Sequence, residues 1–183
     1  MSSKSSKSET SFEIVELEEY SGSALLIYSV LFDGENETLF DKFLIENEIT
    51  YPDEVGDILN KLEVIGSQTG LKGKWIKKDQ GRFGDGICYM FDHPEKHLRL
   101  YFILFGNATK DLAIIIGGGG FKPSTAHSFQ EVDELKDQNY LLRDIAQVIN
   151  EAVVKGTLLL DEDGFGNEDD EPLIFKIKRN EKS

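Results

Sequence analysis

The chain has 183 residues, 39% hydrophobic and 30% charged, and its 34 Asp and Glu against 20 Lys and Arg leave a net charge of −14. That size suits one domain with tails, whose core the apolar fraction can fill while most of the charge stays on the surface. One cysteine, Cys88, excludes an intrachain disulfide and a cysteine-based metal site. The opening MSSKSSKSETS lacks the apolar segment of a signal peptide, and no stretch approaches the roughly 20 apolar residues of a membrane span, so the expected compartment is the cytoplasm.

Residues 1–11, rich in Ser and Lys, read as a disordered tail. The run from Ala24 to Phe32 is apolar and partly β-branched, and Gly34 and Asn36 break it, which predicts a buried strand with Phe12 to Leu17 as a candidate partner. Leu39, Phe40, Phe43 and Leu44 repeat at helical spacing. A second helix carries Val55, Ile58, Leu59, Leu62 and Ile65 on one stripe. Thr50 with Asp53 resembles a capping box, Pro52 suits a first turn and Gly66 is placed to end the helix, so the two helices are expected to form a hairpin.

A four-stranded antiparallel meander is predicted next, over Gly73 to Lys78, Ile87 to Phe91, His97 to Phe105 and Leu112 to Gly117. Its third strand puts Leu98, Leu100, Phe102 and Leu104 on one face and Arg99, Tyr101, Ile103 and Phe105 on the other. Gly117 to Gly120 read as a glycine-rich exit from the last strand that needs unusual backbone angles. A long helix is predicted from Asn139 to Lys155, stopped by Gly156 and packed on the sheet. Thr157 to Leu160 and Leu173 to Ile177 read as short strands around an acidic linker. The domain is therefore expected to span 12–156, with 157–183 as an acidic extension.

The glycine run followed by Phe121-Lys122-Pro123-Ser124-Thr125 fails the phosphate-loop pattern, because Lys122 lacks a preceding glycine and Pro123 separates it from the hydroxyls. His93 and His97 are four apart, but Pro94 argues against the helix that would aim both imidazoles at zinc. Asp161 to Asp169 alternates oxygen ligands as a calcium loop does, yet Phe165 takes a ligand position and Pro172 stands where a bidentate Glu belongs. No metal and no cofactor is expected. The charge is unevenly spread: residues 71–122 hold nine Lys and Arg against five acids, a local +4 that leaves −18 for the rest. Inside that stretch Arg99 and Tyr101, near Lys72 to Lys78 and Arg82, form a constellation able to hold a phosphodiester, guanidinium against the phosphate charge and phenol for stacking or proton transfer. The structural alternative has both side chains packed beneath the long helix.

The order strand, helix hairpin, antiparallel strands, helix resembles the RelE/ParE toxin superfamily. Three stretches carry the resemblance: Ile58-Leu59-Asn60-Lys61-Leu62 before Gly70-Leu71-Lys72; Leu98-Arg99-Leu100-Tyr101-Phe102-Ile103, similar to that family's Arg-x-x-Tyr strand; and Ile114-Ile115-Ile116 leading to Phe121-Lys122. The resemblance spans about residues 24–154. It implies an α+β, RelE-like fold, with a helical hairpin, a meander of about four strands and a C-terminal helix packed on the sheet. It further implies the toxin of a type II toxin-antitoxin pair, cleaving translated mRNA on the ribosome without metal. Carried over by position, Arg99 binds the transition-state phosphate, Tyr101 stacks or relays a proton, and Lys74, Lys77, Arg82 and Lys122 line the RNA path. The implied partner is a small helix-turn-helix antitoxin. The alternative is a catalytically silent member that binds a protein.

Overall fold

A computed structural model describes residues 7–78, 86–93 and 95–180. One seven-stranded sheet dominates it, in the order β3-β4-β5-β6-β2-β1-β9. Its strands are β1 (Lys7–Glu16), β2 (Leu26–Phe32), β3 (Ile76–Lys77), β4 (Ile87–Phe91), β5 (Leu98–Gly106), β6 (Asp111–Phe121) and β9 (Ile174–Asn180). The helices are α1 (Leu39–Asn47), α2 (Pro52–Val64) and α3 (Asp133–Lys155), and a separate hairpin joins β7 (Leu159–Asp161) to β8 (Gly164–Gly166).

This architecture corrects the expected helical hairpin followed by an antiparallel meander and a final helix. β3 to β6 do form antiparallel neighbours, but β2 lies parallel to β6, and β1 and β9 extend the sheet beyond it. Parallel pairing across some 85 residues leaves no local turn signal, so the sequence pattern does not announce it. Two boundaries move with it. Lys7 to Ser11, expected in a disordered tail, are the start of β1, and the expected acidic extension returns to the sheet as β9. The candidate pairing of Phe12 to Leu17 with the second strand is present as β1 against β2.

Helices cover both faces. α3 packs over one through Leu135, Leu142, Ile145 and Ile149, against Tyr101, Ile103 and Ile115. α1 and α2 cover the other with Phe40, Phe43, Ile58 and Leu62 against Leu100, Phe102 and Ile114. Each such aliphatic or aromatic side chain removed from water contributes about 1.5–3 kcal/mol before entropy is charged. The hydroxyl of Ser29 pins α1 where β2 and β6 part, donating to Ile116 O at 3.0 Å and accepting from Phe40 N–H at 3.2 Å.

Local signals resolve differently from their expected positions. The capping box belongs to α1, where Thr38 and Asp41 serve one another, whereas α2 starts at Tyr51 with no side-chain cap. Gly66 does not end α2. The helix continues through a π-helical turn (Ile65–Thr69) and stops at Gly70, whose φ of 61° a side chain would resist. Gly66 is required for packing instead: a Cβ there would lie 1.8 Å from Tyr20 O. Gly156, with φ 74°, ends α3 as expected.

The glycine run is strand, not exit. Gly117 to Gly120 are buried inside β6, and none of them has a positive φ. Leu100 pairs with Gly119 while Phe102 pairs with Ile116, so two β6 residues, Gly117 and Gly118, oppose the single Tyr101 in a β-bulge. α3 lies on this segment. Added Cβ atoms would meet Leu142 at Gly117, Gln138 at Gly118 and Glu134 at Gly120, a stripe of residues four apart. The absence of side chains is what lets the helix approach the strand.

Candidate functional site: a lysine-lined cleft at one end of the sheet

The described residues expected to form one site lie at one end of the sheet but on separate strands, Lys77 in register with Tyr89 and Tyr101, and Lys122 just past Phe121, which pairs with Leu98. Tyr101 is fully buried, its ring between Tyr89 at 6.1 Å and Phe129 at 6.3 Å. Arg99 shares that face; its guanidinium lies 4.5 Å from the Tyr89 ring centroid, and its Nε is buried without a hydrogen-bond partner among the described residues. Both therefore sit in the α3-covered layer that was the structural alternative. Lys122, one residue beyond β6, donates through Nζ to Ala126 O. Lys77 is exposed on β3 and pairs with Tyr89, and Lys74 is exposed in the turn before it. Arg82 lies outside the described residues.

The other end of β5 and β6 is about 20 Å from Arg99, at roughly 3.3 Å per strand residue. There a cleft of about 450 Å³ is lined by Thr69, Gly70, Lys72, Lys78, Thr109 and Lys110, among others. Two walls make it. One is the chain leaving α2, where Gly70 N–H donates to Ile65 O at 2.9 Å and Lys72 N–H to Gly70 O at 2.8 Å. The other is the β5–β6 turn, which Asn107 folds by accepting from the N–H groups of Thr109 and Lys110, both at 2.9 Å. The parallel β2–β6 register, with Leu26 opposite Ala113, brings the walls together, since Ala24 lies in the cleft lining.

Electrostatically the cleft is a cation cluster only partly neutralised. Lys78 Nζ reaches Asp111 at 2.8 Å and Lys110 Nζ reaches Glu162 at 3.4 Å, through exposed side chains whose pairing is worth little in water. Among the described residues no acid pairs with Lys72, Lys74 or Lys77. Trp75 stands half-buried between Lys74 and β3, and Lys61 Nζ lies 5.4 Å from its ring centroid. Aromatic and basic groups alternating along an edge suit a flexible anionic polymer, whose phosphates take the ammonium groups. Nothing local in the sequence pairs residues 68–72 with 109–111, so the pattern alone leaves Lys72 and Lys78 as surroundings of Arg99 and Tyr101 and gives Lys110 no role.

No group of His, Cys, Asp and Glu able to hold a metal occurs among the described residues. His97 packs edge-on against Phe121 at 5.1 Å. No helix among the described residues is long and apolar enough to cross a membrane.

One further charged group lies between the two helix layers. Glu134 of α3 ends on Gly120; burial and then the charge of Glu46 of α1 raise its pKa above the ordinary 4.5. A carboxyl with a raised folded pKa stabilises the fold fully below its unfolded value, and that contribution is lost as pH rises through the folded value. Glu134→Gln should therefore melt about 1–2 °C above the parent at neutral pH, with the gap closing as pH falls through the carboxylate range. Thermal melts of both proteins from acid to neutral pH check this, and a constant gap would remove Glu134 as the titrating group.

No protein-family model, curated protein or solved structure matches the chain.

Proposed function

We propose that the chain binds single-stranded RNA through its phosphate backbone, at the cleft of Lys72, Lys78 and Lys110 and along the adjoining Lys74, Trp75 and Lys77. The observation that carries this reading is the convergence of three ammonium groups and two threonine hydroxyls, against the one carboxylate of Asp111, in one cleft of a chain whose net charge is −14. Phosphate contact releases condensed counterions, so affinity for a labelled 12-nucleotide oligouridine should fall with salt. With three to five cations engaged, the expected slope of log K against log salt is about −2 to −3.5 at roughly 0.7 per single-strand phosphate. The triple variant Lys72→Gln, Lys78→Gln, Lys110→Gln should flatten that slope by about 2. A slope near zero, or one the variant leaves unchanged, overturns the proposal.

Arg99 favours a second reading, in which the chain is the toxin of a toxin-antitoxin pair and cleaves translated mRNA, with a small helix-turn-helix antitoxin as its partner. A buried guanidinium nitrogen without a described partner is a group that a phosphate would satisfy. That chemistry requires α3 to lift from β5, because Tyr101 has no solvent-accessible surface with the helix in place. Induction in a bacterial host distinguishes the two readings: growth arrest abolished by Arg99→Ala supports cleavage, and unchanged growth with both proteins leaves RNA binding alone.

A further inference from the structure

β9 ends the sheet, and among the described residues nothing pairs with its outer edge. The register identifies which backbone groups remain. Ile14 N–H donates to Leu173 O at 3.2 Å, which marks these two as a hydrogen-bonded pair. In an antiparallel ladder such pairs alternate, so Phe12 with Phe175 and Thr10 with Ile177 are also bonded pairs. The N–H and C=O groups of Lys176 and Lys178 consequently point away from β1. A row of this kind is a template for one more strand, and it contrasts with β3 at the opposite edge, which has only two residues.

The side chains beside this row restrict what can be added. Ile174, Lys176 and Lys178 alternate on the exposed face, and Ile174 is 61% exposed. Lys176 meets Glu9 at 3.1 Å, a solvent-exposed pair that competes weakly with a new partner, and Lys178 has no acid partner among the described residues. A groove of about 320 Å³ runs between β9 and α3, lined by the apolar Val148, Ala152, Leu173 and Phe175 together with the charged Glu151, Lys155 and Lys176. A second copy of this chain, pairing β9 with β9, would set lysines against lysines, and like charges on neighbouring strands are destabilising. An acidic strand would complement them. The overall negative charge of the chain does not forbid it, because at about 0.15 M salt charges more than about 8 Å apart are largely screened.

We infer that β9 is a docking edge for an extended segment of another protein. That segment carries Asp or Glu at alternate positions facing Lys176 and Lys178, with apolar residues between them facing the groove beside α3. This site lies at the far edge of the sheet from β3 and is independent of RNA binding.

The test uses the full chain and a labelled nine-residue peptide alternating glutamate with valine, followed by fluorescence anisotropy. Saturable binding is expected below about 1 mM. Lys176→Glu with Lys178→Glu should weaken it at least tenfold, as should Lys178→Pro, which removes one outward N–H at a position where an edge strand tolerates proline. Circular dichroism verifies that both variants fold. A peptide N-methylated at alternate residues, which needs no protein variant, should also lose at least tenfold. The triple lysine variant of the cleft should bind the peptide as the parent does, which separates this result from RNA binding. The inference is overturned if the glutamate peptide fails to bind, if its lysine counterpart binds equally, or if N-methylation has no effect. It is likewise overturned if sedimentation shows the chain pairing with itself through β9.

Discussion

Gly119→Ala should lower the melting temperature by on the order of 10 °C, whereas Gly56→Ala, the same chemical change, should raise it by a few degrees. At Gly119 an added Cβ would stand 1.8 Å from Arg99 O, far inside van der Waals contact and against backbone of the neighbouring strand. Neither atom can turn aside. β5 and β6 must separate locally, and with them the seat of α3, a change that costs on the order of 3 kcal/mol or more. The other three glycines of the run are less demanding, because their Cβ atoms would meet Leu142, Gln138 and Glu134, the movable ends of side chains. Gly56 lies inside α2 with nothing within 4 Å of its Cβ, so alanine there gains about 1 kcal/mol from helix propensity and a less flexible unfolded chain. Differential scanning calorimetry of the two variants decides the matter. A Gly119→Ala protein that melts with the parent would mean that β5 and β6 are not in this register.

The contrast shows what the sequence made legible. Four glycines in an apolar strand announce a special position, but whether they serve a ligand, a turn or a close neighbour depends on what lies opposite. Here that is Arg99 on one side, 20 positions before Gly119, and α3 on the other, starting with Glu134, 14 positions after Gly120. The alternation through Leu98 to Phe105 identifies the two faces of β5, because the strand period is a local property. The sequential pairings β3 to β6 and β1 with β2 were legible, but how these two groups join was not. β1 and β9 join the sheet through residues 7–16 and 174–180, nearly the full chain apart, and β2 inserts beside β6 in parallel. The candidate site inherits this: Lys72 and Lys110 belong together only because β2 lies between the segments that carry them. The cation-rich stretch was visible as composition, while its division into a covered Arg99 end and an open Lys110 end required the placement of α3.

Asn139→Leu should stabilise the protein by about 1–2 kcal/mol, raising the melting temperature by roughly 3–6 °C. Asn139 lies on the buried stripe of α3 with Leu135 and Leu142 and has no exposed surface, yet neither Nδ2 nor Oδ1 has a hydrogen-bond partner among the described residues. A buried amide left in this state forfeits its hydration without replacement, about 1–3 kcal/mol, and leucine restores apolar contact at the cost of some added volume. Gln138 Oε1 and Arg99 Nε, along the same seam, also have no hydrogen-bond partner among the described residues, whereas the second half of α3 is seated by Ile145, Ala146 and Ile149. The first half of the helix is thus the weaker half, and its amides should exchange with solvent faster than those after Ile145. Asn139→Leu should slow that exchange together with the rise in melting temperature. If the toxin reading holds, the same substitution should also weaken growth arrest, since α3 must lift to uncover Arg99. A melting temperature that falls by more than about 2 °C would show that the amide is hydrogen-bonded in solution and that the seam is not a weak point.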